Sequence, residues 1–166
     1  VWSCIKYSSN IDLKDLKDSY RLKNRKKTID FSSNKILILV AQDFCSEAKL
    51  KNVFTLIINN LVKQDFEVFI KDHPNPESRL NLKTNLNTKL MNSEIPIELL
   101  DDNYKHVIGF CSTSLLFFEN RAISLIHLLD EDKMEIKKRK SHLLSLPKGN
   151  EIFYPKTMEE LFKIIK

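Results

Sequence analysis

Residues 35–40 limit the fold more than any other stretch: one lysine is followed by Ile36, Leu37, Ile38, Leu39 and Val40. A strand with one face in water alternates apolar and polar side chains, so a run without a polar position must be covered on both faces. That is the condition of an inner strand of a parallel sheet, and parallel neighbours have to be joined by crossovers. The residues that follow suit a crossover. Ser46 is placed to cap a helix in which Leu50, Val53, Phe54, Ile57, Ile58, Leu61 and Val62 recur at three- and four-residue spacing. Residues 66–71 then read as a second strand, stopped by His73, Pro74, Asn75 and Pro76.

Further along, the polar stretch 77–91 is expected to be helical in part, with a third strand at 95–100 and a fourth at 107–111. Ser112, Thr113 and Ser114 open a helix that runs through 115–120, and residues 122–129 read as a fifth strand. A basic helix at 133–145, a short strand at 152–154 and a helix capped by Thr157 complete the chain. This alternation predicts an α/β fold with a doubly wound, mostly parallel, Rossmann-like sheet. Residues 35–166 are expected to form that domain. Residues 1–34 mix charged and aliphatic groups and read as a linker or the remnant of an upstream domain. The first residue is Val1, not Met, so the chain is expected to be a piece of a longer protein.

Composition removes several functions. No apolar run approaches the length of a membrane span. The three cysteines, Cys4, Cys45 and Cys111, are odd in number and lack metal-ligand spacing, which points to thiols in a reducing cytoplasm. The net charge of +5 is concentrated at 23–27 and at Lys137, Lys138, Arg139 and Lys140. Such clusters are either solvated faces or a means of peripheral attachment to an anionic inner membrane face. Aromatic residues are not interleaved with them, so a nucleic-acid partner is not expected.

In open parallel sheets, ligands sit beyond the carboxyl ends of the strands. The first strand delivers Gln42 there, and the second delivers Lys71, Asp72, His73 and Pro74. The third brings Glu98, with Asp101 and Asp102 just beyond, and the fourth brings Ser112, Thr113 and Ser114. A cation, an imidazole and a group of hydroxyls suit a phosphate. With Gly109 and Gly149 the only glycines, neither a dinucleotide turn nor a P-loop is available. The anion would instead meet hydroxyls and N–H groups at the helix start near Ser112. His73 could assist a leaving phosphate by countering the charge that grows on it. Asp101 and Asp102 read as a polar turn, not a metal pair. His106 and His127 read as structural, one in a loop and one in an apolar strand.

A strand ending in Lys71, Asp72, His73 and Pro74, followed about forty residues later by one ending in Ser112 and Thr113, resembles the bacterial sialyltransferases with two-domain GT-B folds. These include the lipooligosaccharide sialyltransferases of glycosyltransferase family 52 and the capsular polysialyltransferases. The resemblance runs from Lys35 to the C-terminus and implies the C-terminal, donor-binding domain. It implies that His73 assists departure of CMP, that Ser112 and Thr113 bind its phosphate, and that a glutamate, Glu98 or else Glu94, grips the ribose. The implied reaction is inverting transfer of sialic acid from CMP-sialic acid to a cell-surface glycan such as lipooligosaccharide or capsule, without an essential metal or other cofactor. The family's acidic general base belongs to the other domain, so a missing N-terminal domain or a second chain is an expected partner. A homodimer is a further assembly this allows. Two alternatives stay open: a transferase of CMP-linked polyol phosphate or capsule polymer, and a non-catalytic nucleotide-binding fragment.

Overall fold

The computed structural model describes residues 33–42, 45–82, 87–97, 100, 103–129 and 132–166. It contains a five-stranded sheet built of β1 (Lys35–Leu39), β2 (Glu67–Lys71), β3 (Thr88–Leu90), β4 (His106–Gly109) and β5 (Ala122–Ser124). The strand order is β3-β2-β1-β4-β5 and every pairing is parallel. The expected α/β, Rossmann-like sheet is therefore present. Its apolar first strand is the central one, with Leu37 in register with Phe69 on one side and Val107 on the other.

Side chains alternate across β1, and the core divides accordingly. Ile36 and Ile38 face a cluster that holds α1 (Glu47–Lys63) through Leu50, Phe54, Ile57, Ile58 and Leu61. The same cluster holds the last helix, α3 (Met158–Ile165), through Leu161 and Ile165. Leu37 faces the second cluster, built from Ile97, Leu100, Tyr104, Val107, Leu115, Phe118, Ala122 and Ile152. Short 3-10 turns and loops supply much of that layer. The expected caps form: Ser46 accepts the N–H of Lys49 at 3.3 Å, and Thr157 that of Glu160 at 3.2 Å.

Several elements differ from the sequence expectation. The third strand is Thr88–Leu90, inside the stretch expected to be partly helical, and not 95–100. Pro96 offers no N–H to a sheet ladder, so the apolar side chains Ile95, Ile97 and Leu100 serve instead as packing from a loop. β3 is an edge strand, which tolerates its polar sequence. The helix expected after Ser112 is a 3-10 turn, Thr113–Phe117, followed by a second at Glu119–Arg121. The fifth strand ends at Ser124 and passes into a 3-10 turn at Ile126–Leu128, where His127 lies. The expected strand at 152–154 is a single parallel bridge between Ile123 and Phe153.

The basic helix α2 (Lys133–Ser145) is present as expected. Only part of its charge faces solvent. Arg139 pairs with Glu135 at 2.7 Å, and the Lys140 ammonium lies 3.1 Å from His127 Nε2 and 4.7 Å from the centre of the Tyr154 ring. Lys137 and Lys138 are exposed; residues 23–27 lie outside the described residues. Among the described residues no helix is long and apolar enough to cross a membrane.

Both glycines serve close approach, since neither has positive φ; among the described residues the left-handed positions belong to Asp65, Asn81, Glu119 and Lys148. A Cβ on Gly149 would stand 1.9 Å from the Leu143 carbonyl oxygen at the end of α2. Gly149→Ala is expected to displace that helix end and to cost about 1–3 kcal/mol in urea unfolding.

His106 opens β4, not a loop, and its Nδ1 is buried without a hydrogen-bond partner. Burial, and then the charge of Lys105, pushes its pKa below the usual 6.5. The fold thus favours neutral His106, whereas the unfolded chain takes up a proton as pH falls through about 6.5. Stability is expected to fall as pH drops through about 6.5 and below, and urea midpoints of His106→Gln should fall less over the same range.

Candidate functional site

Chain order and sheet order together place a gap above β1. From β1 the chain moves outward through β2 to β3, then returns to the other side for β4 and β5. Successive connections therefore leave β1 and β4 in opposite senses, the arrangement that opens a crevice at the carboxyl edge of such sheets. The cleft is there, with a volume of about 320 Å³. Its floor is Leu39, Val40, Ala41 and Gln42. One wall is Lys71, Asp72, His73, Pro74 and Ser78, and the opposite one Phe110, Cys111, Ser112, Thr113 and Ser114. Ile95, Pro96 and Ile97 add an apolar side.

Of the sequence-predicted residues, Gln42, Lys71, His73, Pro74, Ser112, Thr113 and Ser114 are thus brought together on one cleft. Glu98, with Asp43, Asp101 and Asp102, lies outside the described residues. Glu94 is exposed in the loop after β3, its N–H donating to Asn92 at 2.9 Å, and it is not among the cleft-lining side chains.

The wall after β2 is held by side chains that bond its backbone. Asp72 Oδ1 accepts the N–H groups of His73 at 2.8 Å and Leu80 at 3.0 Å, and Oδ2 accepts that of Asn81 at 2.8 Å. Asn81 has φ of 49°, a conformation asparagine takes more readily than most residues. Arg79 donates from Nε to the His73 carbonyl at 3.1 Å and from Nη2 to the Pro74 carbonyl at 3.2 Å. The Asn75 N–H donates to His73 Nδ1 at 3.1 Å. The Gln42 N–H donates to the Ser78 carbonyl at 2.8 Å, tying this loop to the end of β1.

Lys71 lines the cleft and is also tied to the protein. It is only 5% exposed, and its ammonium donates to the Ser93 carbonyl at 2.9 Å, bracing the loop that carries Ile95–Ile97 against β2. A buried ammonium needs such partners, because an unpaired charge costs far more than a paired one.

The wall after β4 depends on small residues. A Cβ on Gly109 would lie 3.4 Å from Leu39 Cβ, already at contact, so β4 lies close to β1 here. The buried Ser124 hydroxyl donates to the Phe110 carbonyl, and the Leu125 N–H to that of Gly109 at 2.8 Å. Ser112 caps the turn that follows, its Oγ accepting the Ser114 N–H at 3.2 Å. With only five residues in that 3-10 turn, the hydroxyls carry the capacity to meet an anion and the helix dipole adds little. Among the described residues no group of three or more His, Cys, Asp or Glu side chains is placed to hold a metal ion.

Sequence reading passed over Arg79 and Ser78, and took Asn75 only as part of the stop after β2. The Asn75-Pro76 pair marks a turn and could have signalled the loop, because asparagine caps the Pro76–Ser78 turn by accepting the Glu77 N–H. No local signal marks Arg79, whose role arises only when the loop closes.

A protein-family model described as alpha-2,8-polysialyltransferase matches residues 6–123. The match covers well over half of the chain and includes both walls of the cleft. No curated protein matched the chain, and no solved structure matched it.

Asp72→Ala would leave three backbone N–H groups without their acceptor and is expected to cost about 2 kcal/mol or more in urea unfolding. Asp72→Asn, which keeps one acceptor oxygen, should cost less.

Proposed function

The chain belongs to the alpha-2,8-polysialyltransferase family, and we propose that its cleft binds CMP-sialic acid as donor for inverting transfer to a sugar hydroxyl on a cell-surface glycan. The observation that carries this reading is the convergence of His73 with Ser112, Thr113 and Ser114 on one cleft, from segments about forty residues apart. An imidazole facing a group of hydroxyls supplies hydrogen bonds to a phosphate without enclosing it in cations.

In the proposed reaction, the bond between the anomeric carbon of sialic acid and the CMP phosphate oxygen breaks, and its electron pair stays on that oxygen. The acceptor hydroxyl oxygen bonds to the opposite face of the carbon, and its proton passes to a general base. Negative charge grows on the departing phosphate, so donors aimed at it stabilise the transition state more than the ground state. His73, Ser112 and Thr113 are assigned that work. Gln42, Pro74 and Ser114 line the pocket around the nucleotide, and the reaction as written calls for no metal.

The general base is assigned to a second domain, which would close the cleft in a GT-B arrangement with residues 35–166 as the donor half. A CMP-linked donor places the reaction in the cytoplasm, where such nucleotides are made.

Titration calorimetry with CMP tests the reading. Binding is expected, with His73→Ala and the pair Ser112→Ala/Thr113→Ala each weakening it about 10- to 100-fold, the worth of hydrogen bonds to a charged group. No heat of binding at millimolar CMP, or variants that bind as well as the parent, would overturn it.

A further inference from the structure

His73 is oriented by more than its place at the end of β2. A backbone N–H can only donate, so the Asn75 N–H at 3.1 Å requires a lone pair on His73 Nδ1. A neutral imidazole carries one proton, which then sits on Nε2. The groups that fix the ring are fixed in turn. Asp72 accepts the N–H of His73 itself and closes the loop through Leu80 and Asn81, while Arg79 grips the carbonyls of His73 and Pro74. All of these bonds run between groups of the loop itself.

We propose that Asp72, Asn75 and Arg79 are positioning residues that hold His73 in its Nε2–H tautomer, making it a neutral hydrogen-bond donor to the departing phosphate. The target of that donor rests on the reading of the cleft as a CMP site; the lock is a property of the free chain. No bond to hydrogen breaks on His73 in this role. The phosphate oxygen keeps the electron pair of the cleaved bond and is stabilised by the Nε2–H dipole, and CMP leaves without a proton from the imidazole. A planar fork reaching two carbonyls is a task that lysine, with one ammonium, cannot reproduce.

Long-range proton–nitrogen NMR of the 166-residue chain, labelled at histidine and held at about pH 8, where an ordinary imidazole is neutral, tests the lock directly. His73 is expected to show a protonated Nε2 and a bare Nδ1. Asn75→Ala keeps the N–H and should leave the tautomer unchanged. Asn75→Pro removes the N–H at a residue whose φ of −71° suits proline, and Arg79→Lys loosens the carbonyl grip. Both are expected to give a tautomer mixture, with CMP affinity about five- to tenfold lower. A wild-type His73 protonated on Nδ1, or already mixed, overturns the lock even if a variant fails to fold; so do both variants retaining the single tautomer. The lock without CMP binding supports this inference and overturns the donor site instead. CMP binding to a chain with mixed tautomers overturns the lock and leaves the donor site standing.

Discussion

Burial of β1 on both faces is the constraint from which the rest of the structure follows. Ile36 and Ile38 cannot leave the α1 side, nor Leu37 the opposite side, without exposing apolar surface, so the strand has one register and one place. Neighbours are then needed along both its edges, and β2 and β4 supply them. Since the connections from those two strands depart in opposite senses, a cleft opens over the carboxyl end of β1 among the described residues. The cleft is a product of connectivity, and side chains only decide what it can hold.

The two walls reach rigidity by different means. After β2 residues 72–79 hold no buried side chain before Leu80 enters the core, so their order comes from polar groups: Asp72 for the N–H groups, Arg79 for the carbonyls. Each serves several backbone partners at once, so one immobilised side chain orders several residues. After β4 order comes from contact. Gly109 lies close to Leu39, Leu115 is fully buried, and the Ser124 hydroxyl fixes the Phe110 carbonyl. A wall held by hydrogen bonds thus faces one held by packing.

Much of this was legible in the residues. The inner strands β1, β2 and β4 announce themselves because double-sided burial excludes polar positions, and α1 because its apolar stripe has helical period. The cleft residues at their ends follow from the strand assignment alone. What escaped was of other kinds. β3 is a polar edge strand whose place comes from pairing with β2, while the apolar stretch near Pro96 imitates a strand but packs as a loop. The turn after Ser112 is 3-10 where an α-helix was expected, and β5 follows it at Ala122. The sequence shows the charge of Lys71 and hides one of its partners, the Ser93 carbonyl.

That partner bears on how the proposed chemistry works. A lysine beside the phosphate would be drawn to it more strongly as negative charge grows there, as a hydrogen-bond donor is. Here the ammonium lines the cleft and is also bonded to the Ser93 carbonyl, so it braces the loop beside the pocket. A hydrogen bond from a neutral donor strengthens as the accepting oxygen gains charge, and a donor held in place beforehand spends nothing on reorienting at that moment. Fixing the imidazole by its backbone neighbours and using hydroxyls opposite is therefore consistent with a site that discriminates the leaving phosphate from the bound one.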